Sequence, residues 1–103
     1  MRTMLTVKIP VESGNKSIKD GTLPKVMEKF IETHKPEAAY FLARNGQRCA
    51  HFVFDLKDTS SIVVISEPFF IELGAEVEYH PVMNAEDLKK GLEAAMGAAA
   101  ARR

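Results

Sequence analysis

The stretch AAYFLARNGQRCAHFVFD, residues 38–55, decides the fold of this chain. At its centre, Asn45-Gly46 is the strongest two-residue signal for a hairpin, because both central positions of a type I′ turn need a positive φ. The turn predicts two antiparallel strands, at 38–44 and 47–56, and it sets their register. The facing pairs are then Arg44–Gln47, Leu42–Cys49, Tyr40–His51 and Ala38–Val53.

Two other stretches alternate apolar and polar residues, which is the pattern of a strand with one buried face. The first covers residues 3–9 and ends at Pro10, and the second covers residues 75–83. Together with the hairpin, they give a sheet of four predicted strands.

An amphipathic helix is predicted between the first strand and the hairpin. Thr22 is its expected N-cap, and Pro36 ends it. Ahead of it, Ser13-Gly14-Asn15 predicts a break in the chain, followed by one short helical turn at 16–20. The apolar residues of the amphipathic helix recur at helical spacing, and they are Leu23, Val26, Met27, Phe30 and Ile31.

The segment 59–73 predicts a short helix, a break, and a second helical turn that begins near Pro68, because proline interrupts a helix interior. Gly74 fits the left-handed residue that ends such a turn. Asn84 is the expected N-cap of a C-terminal helix. A narrow apolar stripe runs along this helix, formed by Leu88, Leu92, Ala95 and Met96.

The element order βαββαβ with a C-terminal helix predicts an α+β, ferredoxin-like fold. Its four-stranded antiparallel sheet has the order 4-1-3-2 and carries two helices on one face. Residues 1–83 form this domain, and residues 84–103 form the C-terminal helix and tail. The sheet face toward the helices is expected to bury Leu5, Val7, Ile9, Phe41, Phe52, Phe54 and Val77.

The opposite sheet face mixes polar and apolar residues, and it is too apolar to lie in water. Two-fold pairing is the commonest way to cover such a surface, so we expect a homodimer that closes into a dimeric α/β barrel. The residues on this face are Met4, Thr6, Lys8, Tyr40, Leu42, Cys49, His51, Val53, Glu78 and His80.

Six short segments resemble a group of small bacterial proteins with the dimeric α/β-barrel fold. The segments are KPEAAYF (35–41), NGQR (45–48), VFD (53–55), EPFF (67–70), AEVE (75–78) and PVMNAEDL (81–88). The resemblance covers nearly the whole chain and implies the fold and the two-fold assembly. Enzymes of the same broad fold include cofactor-free monooxygenases, muconolactone-isomerase-like enzymes and chlorite-dismutase-like haem proteins, but that link is one of fold alone.

Charge and composition exclude several classes. With 14 Lys+Arg against 14 Asp+Glu, the net charge is zero, so we expect no nucleic-acid partner. No run approaches the ~18 apolar residues of a membrane span, and the first ten residues lack the apolar core of a signal peptide. One cysteine allows neither an internal disulfide nor a paired-cysteine zinc site. A cytoplasmic protein with no membrane partner is expected.

The candidate binding site is a polar cluster on the mixed sheet face. Its members are Lys8, Tyr40, His51, Glu78 and His80. The first interpretation is a cavity that holds a small organic ligand between the two copies. The second is a cofactor-independent monooxygenase or isomerase, with His51 or His80 as the base and Tyr40 or Lys8 polarising an oxygen. The third is a non-catalytic interaction module, in which these groups satisfy one another and the C-terminal helix crosses the partner.

Weaker chemical signals point elsewhere. Asp55 together with the two histidines and Glu78 could ligate a metal, but no short His spacing supports this, so neither a metal nor a cofactor is expected. Cys49 has His51 two residues away, which is too loose an arrangement for a nucleophile and its base. Gly14-Asn15-Lys16-Ser17 does not meet the phosphate-loop pattern.

Overall fold

The hairpin forms around the Asn45-Gly46 turn. In the computed structural model of the chain, these two residues have φ values of 52° and 76°, so the type I′ geometry is confirmed. The pairs Tyr40–His51 and Leu42–Cys49 face each other in the predicted register. The structure describes the backbone of residues 1–101 and the side chains of residues 1–98.

The element order contains one more helix than predicted. In chain order, the elements are β1 (Arg2–Ile9), α1 (Val11–Lys19), α2 (Thr22–His34), β2 (Ala38–Arg44), β3 (Gln47–Asp55), α3 (Ser61–Leu73), β4 (Glu76–Pro81) and α4 (Ala85–Ala101).

The four strands form one antiparallel sheet in the order β2-β3-β1-β4, which is the predicted 4-1-3-2 read from the other edge. Both β3 and β4 pair antiparallel with β1, so they run parallel to each other. Parallel strands need a crossover of a dozen or more residues, and α3 supplies it. The α+β class and the strand order are therefore confirmed.

The core lies between the sheet and α1–α3. The ring of Phe30 in α2 meets Phe52 of β3 at a tilt and Phe54 of β3 edge-on, with ring centroids 4.6 and 5.4 Å apart. The buried apolar side chains include Leu5, Val7, Ile9, Met27, Phe30, Phe52, Phe54, Ile65, Phe69 and Leu73. Val77 is half-buried.

The predicted burial of Phe41 is wrong. Its ring meets Phe52 edge-on at 5.8 Å, yet its side chain is 60% exposed. Phe41 lies on β2, an edge strand whose one neighbour in the sheet is β3. An aromatic side chain there is covered on one side only.

The predicted break at Ser13-Gly14-Asn15 is also wrong, because α1 runs through it. Pro10 precedes the helix, and its carbonyl accepts the first helical bond from the Gly14 N–H at 2.8 Å. A Cβ at residue 14 would lie 2.7 Å from Arg48 Nη1 and 3.2 Å from Ile9 Cγ2. Glycine at position 14 therefore allows α1 to lie close to the sheet, and it does not mark a turn.

Two helix ends differ from the prediction. Gly21, at φ 81°, caps α2 in place of Thr22, whose N–H donates to Asp20 Oδ1 at 2.9 Å. The segment 61–73 is a single helix with Pro68 inside it, and Gly74 ends it at φ 58° as predicted. Pro68 leaves the Val64 carbonyl without its usual donor, and Val64 is 71% exposed, so water can bond that carbonyl.

Helix α4 begins as predicted with a reciprocal cap. The Asp87 N–H donates to Asn84 Oδ1 at 2.8 Å, and the Asn84 N–H donates to Asp87 Oδ2 at 3.2 Å. The helix continues to Ala101 and so takes up most of the segment 84–103 that was expected to hold a helix and a tail, whereas Arg102-Arg103 lies outside the described residues. Every residue from Met83 to Ala98 is exposed, and the molecule is 62 Å long.

Across residues 1–101, no helix combines the length and the apolar character that crossing a membrane requires.

Candidate functional site

The sheet face turned away from α1–α3 is called here the open face. The alternation along β1 places Met4, Thr6 and Lys8 on it, and the strand register adds their neighbours. Its residues are Arg2, Met4, Thr6, Lys8, Ala38, Tyr40, Leu42, Arg44, Gln47, Cys49, His51, Val53, Asp55, Glu76, Glu78 and His80. All of the predicted site residues lie on this face.

Lys8 and Glu78 form an ion pair across β1 and β4. Lys8 stands opposite Glu76 in the register, but its ammonium group reaches diagonally to Glu78 Oε1 at 2.7 Å. The hydrogen bond and charge of Lys8 hold the pKa of the Glu78 carboxyl below its usual value, with smaller contributions from His80 and Arg44. Both side chains keep water contact, so the pair sets local charge and orientation more than it sets stability.

His51 is oriented by a residue that sequence reasoning did not place in the site. Its Nδ1 lies 3.0 Å from the hydroxyl of Thr6, and Thr6 is only 2% exposed. A hydrogen bond at Nδ1 fixes the ring and leaves Nε2 directed elsewhere. The sequence could have identified Thr6 through the strand register, which places it directly between His51 and Glu78.

Tyr40 and His80 lie at opposite edges of the face. Tyr40 is opposite His51 on the edge strand β2, and 70% of its side chain is exposed. His80 is on the other edge strand, β4, opposite Met4. Three strand intervals separate the two edges, about 14 Å. The cluster is therefore a broad floor, and the five predicted residues do not converge on one atom.

The open face divides into an apolar half and a charged half. The apolar half lies on β2 and β3 and includes Tyr40, Leu42 and Val53, with the charged Arg44 at its end beside the hairpin turn. The charged half lies on β1 and β4 and includes Lys8, Glu78 and His80. Such a floor can hold the apolar part of a small molecule at one side and hydrogen-bond its polar part at the other.

Two cavities lie on the other side of the sheet, among the helices. A groove of about 680 Å³ separates α2 from α3, and a smaller cavity of about 240 Å³ lies beside the segment after β3. Neither is lined by any of the five predicted site residues. A ligand cavity at the open face therefore requires a cover from outside the chain.

His34 lines both of these cavities and was not predicted as a site residue. Its ring lies 5.0 Å from that of Phe30 and 5.9 Å from that of Phe54. His34 is the last residue of α2, where the helix dipole favours a positive charge. Burial has the larger effect and lowers the pKa of the His34 imidazole below 6.5.

The two remaining candidate residues, Cys49 and Asn15, are held in contacts within the fold. Cys49 is 4% exposed and faces Leu42 across the hairpin. Asn15 lies within α1, and its Oδ1 accepts a hydrogen bond from Arg48 Nη2 at 3.1 Å. Among the residues that the structure describes, no three His, Cys, Asp or Glu side chains come together as a metal site.

Neither a scan of protein-family models nor a search of curated proteins found a match to this chain.

Proposed function

We propose that this protein is a homodimer in which the open faces of two copies pack against each other and enclose a pocket for a small organic molecule. The observation that carries the proposal is the bare apolar half of the open face, where Tyr40 is 70% and Leu42 is 40% exposed. A water-soluble chain gains stability when such a surface is covered. The resemblance to dimeric α/β-barrel proteins supports the same assembly.

The floor of the pocket suggests the chemistry of its ligand. Leu42 and Val53 offer apolar contact, and the Tyr40 ring can stack on an aromatic group. The Lys8 ammonium group and the imidazole of His51 can hydrogen-bond an oxygen. The ligand that fits is a small, partly aromatic compound that carries a carbonyl or hydroxyl group, held without a metal or another cofactor.

The remaining features agree with this assignment. The single cysteine, Cys49, is free and buried, and a chain without disulfides is compatible with the cytoplasmic location that we propose. The zero net charge favours a neutral or weakly polar small molecule over nucleic acid.

The hydrogen bond between His51 and Thr6 supports a second candidate, an enzyme of the cofactor-independent monooxygenase or isomerase type. If Nδ1–H donates to the Thr6 hydroxyl, Nε2 is left as a proton acceptor with a fixed direction. Tyr40 or Lys8 would then polarise a substrate oxygen. In this case His51→Gln abolishes turnover and leaves ligand binding in place, whereas a merely structural His51 changes dimer stability instead.

A chemical-shift titration tests the pocket. A panel of small aromatic carbonyl compounds is added to the ¹⁵N-labelled protein, and the amide signals of Tyr40, His51 and Thr6 are followed. Saturable shifts at these amides support the pocket. Shifts confined to Val26 and Val64, which line the α2–α3 groove, would move the ligand site to the helix side. If no compound shifts the open face, the third interpretation, a non-catalytic interaction module, replaces the pocket.

A further inference from the structure

Helix α4 leaves the body of the molecule on the side of the open face. Arg2 alternates with Met4 along β1, so its side chain lies on that face. The Arg2 guanidinium holds Asp87 Oδ2 at 2.8 Å through Nη1 and Glu37 Oε1 at 2.7 Å through Nε. The first turn of α4 is therefore fixed at the end of the open face where β1 begins.

Beyond its first turn, α4 carries an apolar stripe that its own chain does not cover. Leu88, Leu92 and Met96 are 49%, 56% and 71% exposed. They recur every four residues and so share one side of the helix. The α2–α3 groove is apolar too, but it lies on the other side of the sheet from the start of α4.

The size of the open face points to what covers the stripe. Four strands about 4.8 Å apart and some six residues long have a footprint of about 380 Å². Specific interfaces bury about 1,200–2,000 Å² in total, or at least about 600 Å² from each partner. A helix of 17 residues is about 25 Å long and about 10 Å wide, so it covers about 250 Å². The arm that a copy gives raises its total to about 630 Å², which reaches this range. The arm that it receives lies on the open face, whose area is already counted.

We infer that α4 is an exchanged arm: in the homodimer proposed above, the Leu88, Leu92 and Met96 stripe of each copy packs along β2 of the other, beside Tyr40 and Leu42. The inference rests on that dimer. In the proposed two-fold dimer, the open faces of the two copies meet. An arm that starts beside the open face of one copy therefore also lies beside the open face of its partner. The apolar stripe matches the apolar half of that face and not the charged half at β4.

The exchanged arm completes the binding pocket. Strand β2 is an unpaired edge, and the pocket is open at that edge beside Tyr40. The partner's arm closes this side with apolar side chains, and it covers an edge strand that would otherwise be free to pair with other chains. Each pocket then contains residues from both copies.

Matched glutamate substitutions in the full-length chain test the arm. Leu92→Glu puts a charge into the stripe, whereas Gly97→Glu puts the same residue on the opposite side of α4, where a Cβ meets nothing within 4 Å. By sedimentation equilibrium, we expect L92E to raise the dimer dissociation constant at least about tenfold and G97E to leave it within about twofold. Equal constants for the two variants and the wild-type dimer would overturn the arm and leave the dimer standing, whereas a monomeric wild type would overturn the dimer itself.

A spin-label experiment locates the arm. Met96→Cys is labelled with a nitroxide and mixed with ¹⁵N-labelled wild type, and labelled wild type serves as the blank because Cys49 is buried. The inference predicts broadening of the Tyr40 and Leu42 amides of the unlabelled partner. Broadening at Val26 and Val64 instead would place the arm in the α2–α3 groove, and an absence of broadening in mixed dimers would show that the arm packs on neither surface. Both results contradict the inference.

Discussion

Replacing Tyr40 with alanine tests whether a second copy covers the open face. A tyrosine side chain has roughly 200 Å² of surface, and 70% of that of Tyr40 is exposed, which leaves about 140 Å² for a partner to cover. If half of this area is covered at about 25 cal/mol per Å², each chain contributes about 1.7 kcal/mol, and the dimer about 3.5 kcal/mol. The dissociation constant of Y40A should then rise a few hundredfold.

The neighbouring residue is the control for this experiment. Phe41 lies on the same edge strand, is 60% exposed, and faces the helix side of the sheet. F41A loses the edge contact with Phe52 and about 1 kcal/mol of folding stability, but it should leave the dissociation constant unchanged. Sedimentation equilibrium of both variants measures the difference. If Y40A associates as strongly as F41A, the open face is not the interface, and the reasoning is refuted.

Three further predictions concern individual side chains. Lys8→Met should raise the pKa of Glu78 toward its usual value in a carboxyl ¹³C titration, because Lys8 is the main cause of the lowered pKa. An unchanged pKa would contradict the ion pair. His34 has a folded-state pKa below its unfolded value of 6.5, so the unfolded chain binds the proton first as the pH falls. Urea unfolding should therefore show full stability above about pH 6.5 and a loss of stability below it. His34→Gln should remove this pH dependence of the unfolding free energy. Tyr79→Phe removes the 2.7 Å hydrogen bond between the tyrosine hydroxyl and the buried Ser66. It should lower the free energy of unfolding by about 1 kcal/mol, or the Tm by about 5 °C. No change in Tm would show that water replaces the bond.

Local signals predicted most of the sheet. The Asn45-Gly46 turn sets the hairpin register within four residues, and connection rules then leave few strand orders. Only the second half of helix α1 was predicted, as a helical turn at 16–20, because Gly14 has the composition of a turn, whereas its actual role depends on the approach of Arg48 from β3. The continuous α3 was missed for a similar reason: Pro68 disfavours a helix locally, but burial of Phe69 and Leu73 favours it. Both errors are cases in which tertiary packing outweighs local propensity.

The candidate site was predictable only as far as register reaches. Alternation placed Lys8, His51 and Glu78 on one face, and the structure agrees. Register does not show that the Lys8 ammonium group bonds Glu78 and not the directly opposite Glu76, because long side chains reach diagonal neighbours as well. The exposure of Phe41 was missed because period-two alternation assigns a face but not the extent of the helical layer above it.

The molecular mass of the wild-type protein in solution is the most direct test of the covered open face. Sedimentation equilibrium from about 1 to 100 µM, in buffer of physiological ionic strength, should give a particle of twice 11.4 kDa across the upper part of this range. A mass of 11.4 kDa at every concentration would mean that the open face stays in water, and it would contradict both the dimer and the pocket.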